Sequence, residues 1–175
     1  MKSLSDYIHV IPDFPAPGIL FRDITGILDS GAGFTLCCQE LEARLAQTDF
    51  DVVAGIESRG FLFGAPLAVH FRKPFVPVRK KGKLPRETIS RTYDLEYGQA
   101  TLEIHKDAVR PGQKVVIVDD LLATGGTMAA ACSLVERLGG EVAMTLFVIE
   151  LQGFGARAGK LAGRPVETLL AYPGK

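Results

Sequence analysis

"VVIVDDLLATGGT", Val115 to Thr127, decides how the rest of the chain is read. Val115, Val116, Ile117 and Val118 are β-branched residues in succession. That run is too apolar for a half-exposed edge strand and suits a strand covered on both faces of a parallel sheet. Asp119 and Asp120 then stand at the strand's C-terminal end. Open α/β sheets bind ligands there, in the crevice beyond the carboxyl ends of their strands. Thr124, Gly125, Gly126 and Thr127 turn the chain toward a helix, "TMAAACSLVERLGG", closed by Gly139 and Gly140. Unpaired N–H groups and the dipole of a helix N-terminus favour an anion. Glycine lets the backbone approach a phosphate closely, and threonine hydroxyls add donors.

The turn is a candidate phosphate cradle, although by itself "TGGT" reads equally as a plain strand-to-helix turn with N-capping threonines. It matches neither G-x-x-x-x-G-K-[ST] nor G-x-G-x-x-G. Two carboxylates beside a phosphate repel it unless they face another part of the ligand, such as sugar hydroxyls or a bound Mg²⁺. Asp119 and Asp120 therefore favour the cradle reading with a sugar between them and the phosphate.

Outward from this stretch, strand and helix patterns alternate. "FTLCCQELEARL" places Phe34, Cys37, Cys38, Leu41 and Leu45 at helical spacing and is followed by the strand "DVVAGI". A helix from roughly Phe61 to Phe71 precedes "PFVPVR", and "EVAMTLFVIEL" reads as another buried strand. Such alternation means crossover connections, hence an α/β fold with a mainly parallel central sheet flanked by helices. At 175 residues the chain suits one well-cored domain.

Two segments break the rhythm. Val10 to Thr25, "VIPDFPAPGILFRDIT", holds three prolines and a glycine and is expected to lie over the domain as an ordered loop. Lys80 to Arg91, "KKGKLPRETISR", is basic and poor in large apolar residues, and reads as a long polar loop of the kind that serves as a lid. Beyond it, Leu102 and Ile104 alternate with Thr101, Glu103 and His105 like one arm of a hairpin.

Twenty basic and twenty acidic residues leave no net charge, so no global field steers the chain to nucleic acid or to anionic lipid. The three cysteines, Cys37, Cys38 and Cys132, are odd in number and two are adjacent, which argues for buried free thiols in a reducing cytoplasm. No apolar run approaches the ~18–20 residues of a membrane span, and the expected location is cytoplasmic.

The strand, "DD" and "TGGT" resemble the phosphoribosyl-diphosphate signature of the type I phosphoribosyltransferases. "PDFPAPGILFRDIT", "AGIESRGFLFG", "VRKKGKLPRETIS" and "YDLEYG", in that order, extend the resemblance from about Pro12 to Tyr172 and narrow it to the adenine-using members. The resemblance implies a type I fold with an N-terminal hood over about residues 10–25 and a flexible loop over about residues 80–97. It also implies a reaction in which adenine displaces diphosphate from C1 of 5-phosphoribose to give AMP, with Mg²⁺ held mainly by substrate and water. A 6-oxopurine relative and a non-catalytic sensor of phosphoribosyl diphosphate or purines are the alternatives. The first dozen residues leave no room for the DNA-reading element a regulator needs.

By the same resemblance, Ala123, Thr124, Gly125, Gly126 and Thr127 hold the 5-phosphate, while Asp119 and Asp120 face the ribose hydroxyls. Glu57, Ser58, Arg59 and Gly60 form the diphosphate loop, in which relatives often carry a non-proline cis peptide. Arg79 and Lys83 neutralise the leaving group. Glu96 reaches the base near N7 on loop closure, and Tyr97 steadies the closed loop or packs. Phe21 stacks on one face of the base and Leu121 covers the other, with backbone groups of Leu20 and Arg22 reading its edge. Arg86 stands where relatives carry a small or neutral residue. Members of this kind are homodimers.

Overall fold

The computed structural model describes residues 2–95 and 98–174, so the expectations for Glu96 and Tyr97 lie outside the described residues. A 3-10 turn over Leu4–Tyr7 leads into β1 (His9–Pro12) and β2 (Leu20–Asp23), then α1 (Thr25–Leu28) and α2 (Gly31–Leu45). There follow β3 (Val52–Ile56), α3 (Arg59–His70), β4 (Phe75–Lys80), β5 (Thr88–Asp94) and β6 (Gln99–His105). The chain continues with β7 (Lys114–Leu122), α4 (Gly126–Arg137), β8 (Glu141–Leu151) and β9 (Val166–Tyr172).

A seven-stranded sheet has the order β5-β6-β4-β3-β7-β8-β9. The pairs β4–β3, β3–β7, β7–β8 and β8–β9 are parallel, while β5 and β6 form an antiparallel edge beside β4. The apolar run of β7 is thus an interior strand. Val115 and Ile117 pack with Met128, Leu134 and Val135 of α4, and Val116 and Val118 face Leu41, Phe63 and Leu67 of α2 and α3. Covering the sheet on both faces is what a strand of consecutive β-branched residues demands.

The structure corrects several expectations. β7 runs on to Leu122, with Leu121 and Leu122 still paired to β8, so the aspartates lie within the strand and not at its terminus. Alternation also breaks there: Val118 and Leu121, three apart, pack on the same side, while Leu122 joins the opposite core. The helix expected from Phe61 to Phe71 begins two residues earlier, at Arg59. The proline-rich segment is not one loop, since β1 and β2 pair antiparallel from His9↔Asp23 to Pro12↔Leu20, and Pro15 and Pro17 fall in the connection where no ladder N–H is needed.

The polar loop is shorter than expected as well. Thr88 to Arg91 belong to β5 and pair with β6, because Ile89 and Tyr93 pack against the core beside α4. The irregular stretch between β4 and β5 is residues 81–87. On β6 the expected alternation holds for Leu102 and Ile104, yet Glu103 and His105 are buried too. The loop covers them: Gly82 N–H donates to Glu103 Oε2 at 2.9 Å, and Arg86 Nη2 lies 3.2 Å from His105 Nδ1.

Gly60 sets the position of α3 on the sheet. A Cβ there would stand 2.5 Å from the carbonyl oxygen of Val118 and 3.3 Å from Asp119 Cα, both on the β7 backbone. Neither can retreat without moving a central strand. Gly60→Ala is therefore expected to lower unfolding free energy by about 1–3 kcal/mol through overpacking, read as a lowered urea midpoint with an unchanged slope. A midpoint equal to the parent's would show that α3 has room to shift.

Candidate active site

Three cavities at the C-terminal edge of the sheet share Arg59 and Asp120. The first, about 210 Å³, is bounded by Arg59, Asp119, Asp120, Leu121 and the turn of residues 123–127. Gly125 adopts φ +78°, the left-handed region that favours glycine, and serves as the N-cap of α4. Behind it, Ala156 and Leu161 would crowd any side chain, at 3.1 and 3.3 Å from a Cβ. The backbone donors at the start of α4 thus open toward the cavity from a turn that is packed on its far side.

Asp120 is 6% exposed and accepts a 2.5 Å hydrogen bond from Arg59 Nε, while its own N–H donates to Asp119 Oδ1 at 2.9 Å. Asp119 keeps some solvent-accessible surface but is closely surrounded by protein atoms. That burial first, and the neighbouring Asp120 charge second, push its carboxyl well above the usual carboxylate range. One guanidinium thus stands beside two carboxyl groups, and the one it does not directly bond is driven toward its neutral form.

The second cavity, about 300 Å³, lies between Glu57, Ser58, Arg59, Lys80, Tyr93 and the aspartates. The Glu57–Ser58 peptide is cis. Arg79 donates through Nε and Nη2 to the Glu57 carboxylate at 3.2 and 3.1 Å, and Lys80 N–H adds a third bond at 3.0 Å. The Arg79 hydrogen bonds hold the Glu57 carboxyl below its usual range. Arg79 Nη1 also donates to the Lys83 carbonyl at 3.0 Å. Arg79 is thus an internal brace in this state, and the Lys83 side chain is exposed while its carbonyl anchors the loop.

The third cavity, about 40 Å³, is a recess formed by Phe21, Arg22, Asp23, Ile24, Thr25, Leu121 and Ile149 with Arg59 and Asp120. It is too tight for a planar heterocycle unless the β1–β2 hairpin moves. Phe14 packs edge-on against Phe21 with centroids 5.1 Å apart. The Arg22 guanidinium lies 4.4 Å from the Tyr172 ring centre, so its side chain ties the hairpin to β9. Leu20 is 47% exposed and stands outside the recess lining.

The expected residues Phe21, Arg22, Ser58, Arg59, Asp119, Asp120, Leu121 and 123–127 thus meet at one edge of the sheet. Lys80, Tyr93, Asp23, Thr25 and Ile149 line the same cavities without having been anticipated. Tyr93 carried a usable signal: Ile89 and Tyr93 share a face of β5, and period-two reading from Ile89 finds it. Ile149 carried none, because only the pairing Leu121↔Ile149 brings it to the recess.

The phosphoribosyl transferase domain family matches residues 27–158. The adenine phosphoribosyltransferase of Agathobacter rectalis is 58% identical over 175 residues, all of both chains. The crystal structure of adenine phosphoribosyltransferase from Thermoanaerobacter pseudethanolicus superposes with TM-score 0.92 at 51% identity, covering 97% of this chain and 100% of that one. The Saccharomyces cerevisiae enzyme, complexed with an imino-altritol bisphosphate and adenine, gives TM-score 0.88 at 43% identity over 95% of this chain and 96% of its own. The chain belongs to the adenine phosphoribosyltransferase family.

Among the described residues, no group of three or more His, Cys, Asp or Glu side chains is arranged to hold a metal ion. No helix among them is long and apolar enough to cross a membrane. Burial pushes the Cys132 thiol up to about 12 and raises Cys37 further, which leaves both unreactive.

The raised Asp119 carboxyl has a consequence for stability. Below its ordinary value of 3.8 the group is protonated in the folded and unfolded chains alike, so it carries no penalty. As pH rises through 3.8 the unfolded chain loses the proton first, the folded chain holds more protons, and stability falls until the folded carboxyl ionises too. Asp119→Asn cannot ionise. Its unfolding free energy relative to the parent is expected to rise from acid toward neutral pH in urea titrations, and a difference independent of pH would refute the assignment.

Proposed function

We infer that the protein transfers the 5-phosphoribosyl group of phosphoribosyl diphosphate to adenine, releasing diphosphate and forming AMP. The observation that carries this reading is the sharing of Arg59 and Asp120 by the phosphate-sized turn cavity, the Ser58 cavity and the Phe21 recess. A ligand with a phosphate at one end, a diphosphate at the other and a sugar between spans the first two, and a flat base beside C1 enters the third.

In this reading, backbone N–H groups and hydroxyls of residues 123–127 hold the 5-phosphate, and Asp119 and Asp120 accept from the ribose diol. The negative charge that the pair keeps on Asp120 favours the oxocarbenium-like carbon that develops as the C1–O bond breaks. Ser58, Arg59, Gly60 and Lys80 surround the diphosphate, and Arg79 and Lys83 join them on rearranging from the Glu57 brace. Asp120 is already committed to Arg59 and Asp119 leans to its neutral form. This donor set suits a Mg²⁺ that arrives with the substrate's own oxygens and water and needs few protein ligands. Bound there, Mg²⁺ supplies charge neutralisation of the leaving diphosphate.

Phe21 and Leu121 sandwich the base, and backbone groups of Leu20 and Arg22 read its edge. The engagement of the Arg22 side chain with Tyr172 supports reading by its main chain. The loop of residues 81–87 is the closing element in this reading, and Glu96 is the residue that reaches the base. A homodimer and a cytoplasmic location complete it; the exposed apolar side chains Leu62 and Val69 on α3 support the former, and the buried free thiols the latter.

The decisive assay is ultraviolet-monitored AMP formation from adenine, phosphoribosyl diphosphate and Mg²⁺, with hypoxanthine and orotate in parallel. Adenine's 6-amino donor and N1 acceptor are both reversed in hypoxanthine, so two buried mismatches at ~1–3 kcal/mol each give roughly 10²–10⁴-fold discrimination in kcat/KM. Equal rates with hypoxanthine would assign the protein to 6-oxopurines instead. Glu96→Gln is expected to lower kcat by about 10²-fold or more with little change in binding of phosphoribosyl diphosphate. An unchanged kcat with chemistry rate-limiting removes Glu96 from the mechanism.

A further inference from the structure

Thr127 Oγ1 donates a hydrogen bond to Tyr93 Oη at 3.1 Å. Thr127 is the second residue of α4, and Tyr93 lies on β5 opposite Ala100 of β6, so the bond joins the turn of residues 123–127 to the antiparallel edge of the sheet. A phenol carries one proton and, when it accepts from a neighbour, keeps that proton for another partner. Among the described residues no hydrogen-bond acceptor for the Tyr93 proton is found. The side chain lines the cavity of about 300 Å³ that also holds Ser58, Arg59, Lys80 and Thr127. The free O–H therefore opens onto the space between the cradle and the cationic side chains facing it.

The ring is fixed in place by observations separate from that hydrogen bond. Tyr93 packs against the core beside α4, and its Cδ2 stands only 3.5 Å from where a Cβ on Gly126 would be. The ring edge thus rests at van der Waals distance beside the first turn of α4. A donor held by packing loses little entropy on meeting an anion, and its bond to a charged oxygen is stronger than one between neutral groups.

We propose that Tyr93 is a substrate-binding residue whose phenolic O–H donates to an oxygen of the 5-phosphate seated on residues 123–127. The assignment rests on the functional reading above and extends it to a residue on the edge hairpin. Because Thr127 and Tyr93 are themselves in hydrogen-bond contact, a phosphate oxygen that reaches the Thr127 end of the turn also lies beside the phenol. Occupancy of the cradle then links α4 to β5, the strand that leads toward the segment bearing Glu96.

Tyr93→Phe deletes the hydroxyl and keeps the ring that packs. Calorimetric binding of ribose 5-phosphate and of diphosphate to the full chain, parent and variant, reads the contact whether or not turnover occurs. A charge-assisted bond lost from the cradle weakens ribose 5-phosphate by roughly 10- to 100-fold and leaves diphosphate unchanged. KM for phosphoribosyl diphosphate rises with it, while KM for adenine holds. Unchanged affinity for ribose 5-phosphate overturns the assignment, and so does an equal or larger loss for diphosphate, which means a loosened fold or a phenol that serves the diphosphate side of the shared cavity. A parent that binds ribose 5-phosphate but makes no AMP defeats only the functional reading; one that binds neither anion defeats both.

Discussion

The ion pair between Arg59 and Asp120 is the contact on which the rest of the cleft depends. Two adjacent carboxyl groups on an interior strand are costly to desolvate, and a single guanidinium at 2.5 Å offsets only one of them directly. The Arg59 side chain remains 50% exposed, so solvent screens the pair and its contribution to stability is modest. Its geometric effect is larger. It fixes the N-terminus of α3 against the end of β7, and every cavity of the cleft is built around that junction. The approach is possible because Gly60 presents no side chain to the Val118 carbonyl.

Two sets of braces hold the walls of the cleft. On one side, Arg157 grips the buried Glu150 through Nε and Nη2 at 2.8–2.9 Å and donates to the Val166 carbonyl at 2.7 Å, which fastens the segment after β8 between β8 and β9. Ala156 and Leu161, carried by that segment, then seal the back of the Gly125 turn. On the other side, Arg137 of α4 donates to the Ser90 carbonyl of β5 at 2.6 Å, and Tyr93 meets Thr127. The phosphate-sized turn is therefore held between two sheet edges far apart in sequence.

Arg86 has a structural place. It pairs with Asp107 and with His105 Nδ1, so it pins the loop of residues 81–87 over the end of β6. Gly82 on Glu103 and Arg79 on the Lys83 carbonyl are the other tethers of that loop. Each tether ends on a polar group, and no residue from 81 to 87 belongs to either hydrophobic core. A segment held this way opens at low cost compared with one packed into a core.

Much of the architecture was legible in residue patterns alone. The β-branched run of β7 pointed to a strand buried on both faces, and the strand–helix alternation around it made a parallel sheet the fitting environment. The period of α2 picked out Cys37, Leu41 and Leu45, all buried, because a helix repeats its inward face every three to four residues. The Asp-Asp pair and the Thr-Gly-Gly-Thr turn marked the carboxyl edge of the sheet, since those residue types answer to local geometry. Pairing between distant segments decided the rest. Thr88 to Arg91 look like loop until β6 supplies a partner, and Arg79 looks like a free cation until Glu57 folds onto it. Lys80 and Ile149 joined the cleft through strand pairings that no local window records. Local conformational preference depends on neighbours in the chain, whereas a cleft at a sheet edge is made by whichever strand ends the topology sets side by side.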